Sequence, residues 1–188
     1  MKLTINTSKI PDCYELQPAI LKDERGSFVK TFHENVFKNY QLETHFPEEY
    51  YSVSVKNVLR GLHFQRPPQE HTKLVYCVQG QVLDVVLDLR LGSPTYGQFA
   101  TFEVSAEKAN LIYISTGLAH GFYVTSEQAI MIYKVSTVYS PNEDAGILWN
   151  SLSIPWGSDN PILSKRDQSF VAFSEFQTPF TYQEKKQF

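Results

Sequence analysis

The sequence predicts an all-β protein, a sandwich or barrel built from many short strands. Three observations carry this. Apolar and polar side chains alternate with strand period, as in "RGLHFQ" (60–65), where Leu62 and Phe64 alternate with His63 and Gln65. Runs rich in β-formers are separated by turn chemistry, such as Gln79-Gly80 and "LGSPTYG" (91–97). Helical signal is confined to two short stretches, "HENVFKNYQ" (33–41) and a weak one, "KRDQSFVAFSEF" (165–176).

Taken in order, each stretch has its own reason. The 33–41 segment is a single short helix. The 60–65 run is a strand with one greasy face and one face carrying a histidine and an amide. In "VYCVQGQVLDVVLDLRLGSPTYGQF" (75–99), two β-rich runs flank Gln79-Gly80, which reads as a hairpin. Leu83, Val85, Leu87 and Leu89 share one face of the second run; Val82, Asp84, Val86 and Asp88 share the other. "QAIMIYKVSTVYSP" (128–141) reads as one more strand, ended by Ser140-Pro141. The leading architecture is a β-jelly roll, closed enough to hold a ligand.

The 188 residues suffice for one domain with a full core, spanning 1–188. A formal net charge of -3 argues against a bulk nucleic-acid binder. The two cysteines, Cys13 and Cys77, cannot form a disulfide framework, and neither sits in a CxxC pair, so a reducing, cytoplasmic setting fits. "MKLTINTSKIPDCYEL" lacks the apolar run of a signal peptide, and no stretch approaches the roughly 20 apolar residues of a membrane span.

His63 admits three readings: a satisfied polar residue, a metal ligand or a base. Metal-binding jelly rolls use a His-x-His pair on one strand face, and here the second position is Gln65, whose carbonyl is a poor substitute for imidazole. His71 and His120 remain, with no spacing that completes a three-ligand site. A base works better when a carboxylate orients its other nitrogen. Asp84, Asp88, Asp144 and Asp167 are all candidates, and sequence distance does not choose among them. Lys73, alternating against Leu74, Tyr76 and Val78, is placed on the less greasy face of its strand and would stabilise a developing oxyanion, unless it is a solvated strand end. Tyr133 and Tyr139 share a face if their strand is unbroken; a phenol there can give a proton to carbon, or simply pack. Arg25 and Arg60 suit phosphate, or surface ion pairs.

Together these segments resemble the family of nucleotide-diphospho-4-keto-6-deoxysugar 3,5-epimerases, typified by dTDP-4-dehydrorhamnose 3,5-epimerase. The likeness runs from "DERGSFVKTF" (23–32) through "SVSVKNVLRGLHFQ" (52–65), the 73–99 segment, "GLAHGF" (117–122) and "YKVSTVYSP" (133–141) to "NPILSKRD" (160–167). The resemblance implies a cupin-type jelly roll, a homodimer with exchanged N-terminal strands, and no metal or other cofactor. It implies that His63 is the base, Asp167 its orienting carboxylate, Lys73 the partner of the carbon-4 oxygen and Tyr133 the proton donor on the opposite face. Arg60 would contact the diphosphate, His120 the sugar, and Arg25 the nucleotide, across the dimer. Gln65, Tyr139, Asp144 and Arg166 complete the substrate-binding set. Where the family carries a Gln-Asp-Asn-His-like run that holds the nucleotide base, this chain has "EEYYSVS" (48–54), so Glu48, Glu49, Tyr50 and Tyr51 replace it. Lys30, Asp144 and Arg166 also replace the family's usual residues. These departures open a cytidine- or guanosine-linked sugar, inverted at carbon 3 alone, as the alternative. From other classes, a metal-dependent cupin oxygenase and a non-catalytic sugar-binding module compete; a ketoisomerase also uses a histidine on this fold.

Overall fold

A computed structural model describes residues 2–184. In chain order the strands are β1 (Leu3–Thr7), β2 (Cys13–Pro18), β3 (Ile20–Asp23), β4 (Gly26–Val29), β5 (Glu48–Val55), β6 (Leu59–Gln65), β7 (Lys73–Gln79), β8 (Gln81–Asp88), β9 (Phe99–Ser105), β10 (Leu111–Ile114), β11 (Leu118–Val124), β12 (Gln128–Val135) and β13 (Asp144–Gly146). Helix α1 (Glu34–Asn39) precedes β5, and α2 (Lys165–Gln168) follows β13. A six-stranded sheet of order β1-β2-β10-β7-β12-β5 faces a five-stranded sheet of order β13-β6-β11-β8-β9. The pairing is antiparallel throughout both sheets, and β3 and β4 form a separate hairpin.

Alternation along the strands sorts side chains into three apolar layers. Val75, Cys77, Ile112 and Met131 from one sheet meet Val82, Val86, Phe122 and Val124 from the other, filling the space between them. The outer face of the six-stranded sheet packs Leu16, Leu74, Tyr76 and Leu111 under Phe37 of α1. The outer face of the five-stranded sheet packs Phe64, Val85, Leu87 and Leu89 under the C-terminal segment, through Trp156 and Phe180. Both faces of β7 and β8 are therefore buried. Lys73 lies, as its alternation suggested, on the face opposite Leu74 and Tyr76, with Val75 and Cys77; it is not a solvated strand end, for only 5% of it is exposed.

Three local expectations are corrected. Gln79-Gly80 is not a hairpin, because β7 and β8 lie in different sheets. The chain crosses between layers there, and Gly80 has φ +80° with the Gln128 carbonyl so close that a Cβ would sit 2.0 Å from its oxygen. A hairpin and a layer crossing use the same turn residues, so the sequence does not separate them. The 128–141 strand stops at Val135, leaving Tyr139 in the following loop. The 165–176 helix is only one turn, Lys165–Gln168, followed by a single 3₁₀ turn at Phe173–Glu175.

Candidate active site

A cavity of about 360 Å³ opens between the sheets at one end of the sandwich. Its lining from the five-stranded sheet is Arg60, His63 and Gln65 of β6, with His120 and Phe122 of β11. Lys73 of β7, Tyr133 of β12, and Glu48, Tyr50 and Ser52 of β5 face them from the six-stranded sheet. His71, Tyr139, Asp144 and Arg166 come from the rim.

Arg60 and His63 are three apart, so a regular strand would turn them to opposite faces. A β-bulge brings them together: His63 pairs with His120 and Arg60 with Phe122, and the register shifts between those pairs. Gly61 makes the bulge possible. Its φ is +141°, and a Cβ there would lie 2.5 Å from the Gly121 Cα.

The structure allots a different partner to each of the four candidate aspartates. Asp167 Oδ1 lies 2.9 Å from His63 Nε2. Asp84 Oδ2 lies 2.7 Å from Nε2 of His120, deeper in the sandwich. Asp88 holds Arg90 through Nε and Nη2, each at 2.9 Å. Asp144 accepts from Arg166 Nη2 at 2.9 Å and from the Tyr139 hydroxyl at 3.4 Å. Asp167 is held by its own short helix: Ser164 caps α2, accepting the Asp167 backbone N–H at 3.0 Å, and the Gly61 N–H donates to Asp167 Oδ2 at 3.2 Å. Burial raises the Asp167 carboxyl, but the His63 bond and these backbone and hydroxyl bonds outweigh it and hold its pKa below the ordinary value. A carboxylate facing Nε2 fixes the neutral imidazole with its proton on that nitrogen, leaving the Nδ1 lone pair for substrate. Burial lowers the His63 pKa, with Asp167 only partly opposing it, which favours the neutral ring.

Lys73 Nζ donates to the His63 carbonyl at 3.0 Å, and burial pulls its pKa down to about 8. Tyr133 shares a 2.9 Å hydrogen bond with Ser52, and its ring stacks on Tyr50 at 4.8 Å between centroids. Burial raises the Tyr133 pKa and keeps the phenol protonated. Arg60 Nε donates to Ser54 Oγ at 2.9 Å. Glu48 accepts the Tyr139 backbone N–H at 2.6 Å. Gln65 is held by the neighbouring loops: its amide donates to the Gln69 carbonyl at 2.7 Å and accepts the Ser140 N–H at 2.6 Å. Among the described residues, no three His, Cys, Asp or Glu side chains converge as a metal site requires.

Two expected binding residues lie elsewhere. Glu49 falls on the outer face of β5 and ion-pairs with Lys134 opposite it, because strand alternation that turns Glu48 and Tyr50 inward turns Glu49 outward. Arg25 sits at the tip of the β3–β4 hairpin, paired with Asp23 at 2.5 Å and outside the cavity of its own chain. Sequence reasoning missed Ser52, whose signal was its alternation with Tyr50 and Glu48, and it considered His71 only as a metal ligand.

Residues 7–175 match the family described as dTDP-4-dehydrorhamnose 3,5-epimerase. The chain is 42% identical over 171 residues to the dTDP-4-dehydrorhamnose 3,5-epimerase of Salmonella typhimurium, covering 89% of this chain and 93% of that one. It is 40% identical over 175 residues to the enzyme of that name from Shigella flexneri, covering 90% and 97%. The structure superposes with TM-score 0.92 and 33% identity on dTDP-6-deoxy-D-glucose-3,5-epimerase from Legionella pneumophila in complex with dTDP-4-keto-L-rhamnose, covering 97% of this chain and 100% of that one. The cavity between two antiparallel sheets and the likeness along nearly the whole chain lead to one conclusion: this chain is an isomerase of the dTDP-4-dehydrorhamnose 3,5-epimerase family.

Proposed function

We propose that this epimerase acts on a dTDP-linked 4-keto-6-deoxyhexose and inverts carbon 3 and then carbon 5. Both carbons flank the carbon-4 ketone, so each carries an acidified hydrogen. His63 Nδ1 removes that proton; Asp167 holds the ring and stabilises the imidazolium. Charge develops on the carbon-4 oxygen, where the Lys73 ammonium meets it. Tyr133, on the opposite sheet, returns a proton to the other face of the carbon, and the centre is inverted. His120, steadied by Asp84, and Gln65 border the sugar, while Arg60 takes the diphosphate. Tyr139, Tyr50, Glu48, Asp144 and Arg166 form the nucleotide end. The observation that carries this reading is the His63–Asp167 pair on one wall with Tyr133 on the other. The test is incubation with dTDP-4-keto-6-deoxyglucose in deuterated water, followed by NMR. Deuterium at carbons 3 and 5 is expected; its absence from both refutes the reading.

Glu48 favours a second reading of the nucleotide. It lines the cavity and spends one oxygen on the Tyr139 N–H, leaving the other to accept from an exocyclic amine, which cytosine and guanine have and thymine lacks. Calorimetry with dTDP, CDP and GDP decides; tightest binding of dTDP, unchanged in order by Glu48→Gln, rejects it.

The assembly we propose is a homodimer with exchanged N-terminal strands, in which Arg25 reaches the partner's nucleotide site. Leu21 and Phe28 on the β3–β4 hairpin are 62% and 59% exposed, and Tyr51, Val53 and Val55 lie exposed along the edge strand β5, as surfaces awaiting a second copy would. The compartment proposed is the cytoplasm, in keeping with two buried, unpaired cysteines. Among the described residues, no helix is long and apolar enough to cross a membrane.

A further inference from the structure

We propose that His71 is a hydrogen-bond donor to the carbon-4 oxygen of the reacting sugar, working beside Lys73 through a proton fixed on Nε2. The target oxygen rests on the epimerase reading above; the fixed proton does not. The argument starts at Gln65. Its Oε1 accepts the Ser140 backbone N–H at 2.6 Å, and its Nε2 lies 2.7 Å from the Gln69 carbonyl, so the amide has one orientation. That same Nε2 lies 3.3 Å from His71 Nδ1. An amide nitrogen only donates, so Nδ1 must accept, and in a neutral ring the proton is then on Nε2.

Among the described residues, His71 Nε2 is a buried atom with no hydrogen-bond partner. An unpaired buried donor is costly, and a bonded oxygen recovers that cost. His71 lies two residues before Lys73, just ahead of β7, and both line the cavity. Burial and the neighbouring Lys73 charge lower the His71 pKa to about 3, so the ring stays neutral, and the Gln65 contact sets which nitrogen carries the proton. A neutral imidazole can polarise a carbonyl without giving up its proton, and one that stays neutral adds no second cation beside Lys73.

Two measurements test this on the intact protein. Long-range proton–nitrogen NMR of the wild type, from pH 5 to 8, is expected to show His71 as the neutral Nε2-protonated tautomer throughout. An Nδ1-protonated or titrating ring overturns the proposal. In kinetics, His71→Phe fills the site without a donor and is expected to lower kcat roughly 100-fold, as loss of one oxyanion donor does, with KM little changed. His71→Gln restores an N–H and is expected to recover most of that loss; it also shows that the Phe effect is not misfolding. Wild-type kcat in His71→Phe, or equal loss in both variants, overturns the donor role. If the wild type itself exchanges no deuterium into the ketosugar, the epimerase reading falls and the assigned oxygen with it, while the NMR result still decides the tautomer.

Discussion

His63 and Lys73 need opposite protonation states, and burial moves both pKa values downward. His63 must be neutral to accept a proton; its pKa lies below the ordinary 6.5, so activity fails only in acid below that value. Lys73 must be charged to meet an oxyanion; its pKa is about 8, so activity falls as pH rises through that value. A bell-shaped kcat/KM profile is expected, and Lys73→Gln should lower activity and abolish the alkaline limb. An alkaline limb that survives the substitution would assign it to another group. His63→Asn should nearly abolish deuterium wash-in, while Asp167→Asn, which leaves a base with a poorer tautomer, should cost less within the roughly 100- to 10,000-fold range of acid–base catalysis. Wild-type exchange in His63→Asn would remove His63 from the chemistry. The sequence made His63 visible through its alternation; its partner Asp167 came from the family resemblance, not from spacing. Asp84 and Asp167 are equally good carboxylates on paper, and only the folded chain gives one to His120 and the other to His63.

At the scale of single elements, the site depends on two small irregularities. Arg60 and His63 share a face because β6 bulges at Gly61. Gly61→Ala is expected to cost both stability and kcat, since the new methyl meets the backbone of β11 at a positive φ. A melting temperature and activity equal to wild type would show that the bulge tolerates a side chain. The other irregularity is the one-turn helix α2. Ser164→Ala removes its cap, about 1 kcal/mol, and should lower kcat by loosening Asp167 while leaving KM nearly unchanged. A rise in KM alone would mean that the cap serves binding instead. Strand identity was legible because period-2 alternation and turn residues are local signals. The bulge, the early end of β12 and the layer crossing at Gly80 were not, because each is set by what lies across the sheet: Gly121, the strand ends Glu48 and Lys73 that pair with Val135, and Gln128.

For the whole molecule, the position of Arg25 yields the sharpest prediction. It stands on a hairpin outside its own cavity, so under the proposed strand exchange Arg25→Ala should raise KM for the nucleotide sugar only through the partner's site. Mixing Arg25→Ala with His63→Asn protein would then create hybrid dimers with one wild-type-like site, and low KM should return. Mixtures that keep the high KM of Arg25→Ala, or a monomer in sedimentation at micromolar concentration, would refute the exchange. The sandwich class was readable from composition and alternation; which strand lies beside which was not, because neighbours in sequence are often strangers in space. Because the chain changes layers at Gly80, Val75 pairs with Ile112 and Tyr133, while Val86, only a few residues beyond the crossing, pairs with His120. Most of the ladder is therefore closed by distant stretches of chain, and loop-closure entropy must be overcome before those contacts repay it, which places folding in the slow, millisecond-to-second regime of β-sandwiches. A ribosome that has released only the first half of this chain has delivered β7 without β10 or β12, and β8 without β11. The nascent protein waits with open sheet edges until nearly the last strand emerges.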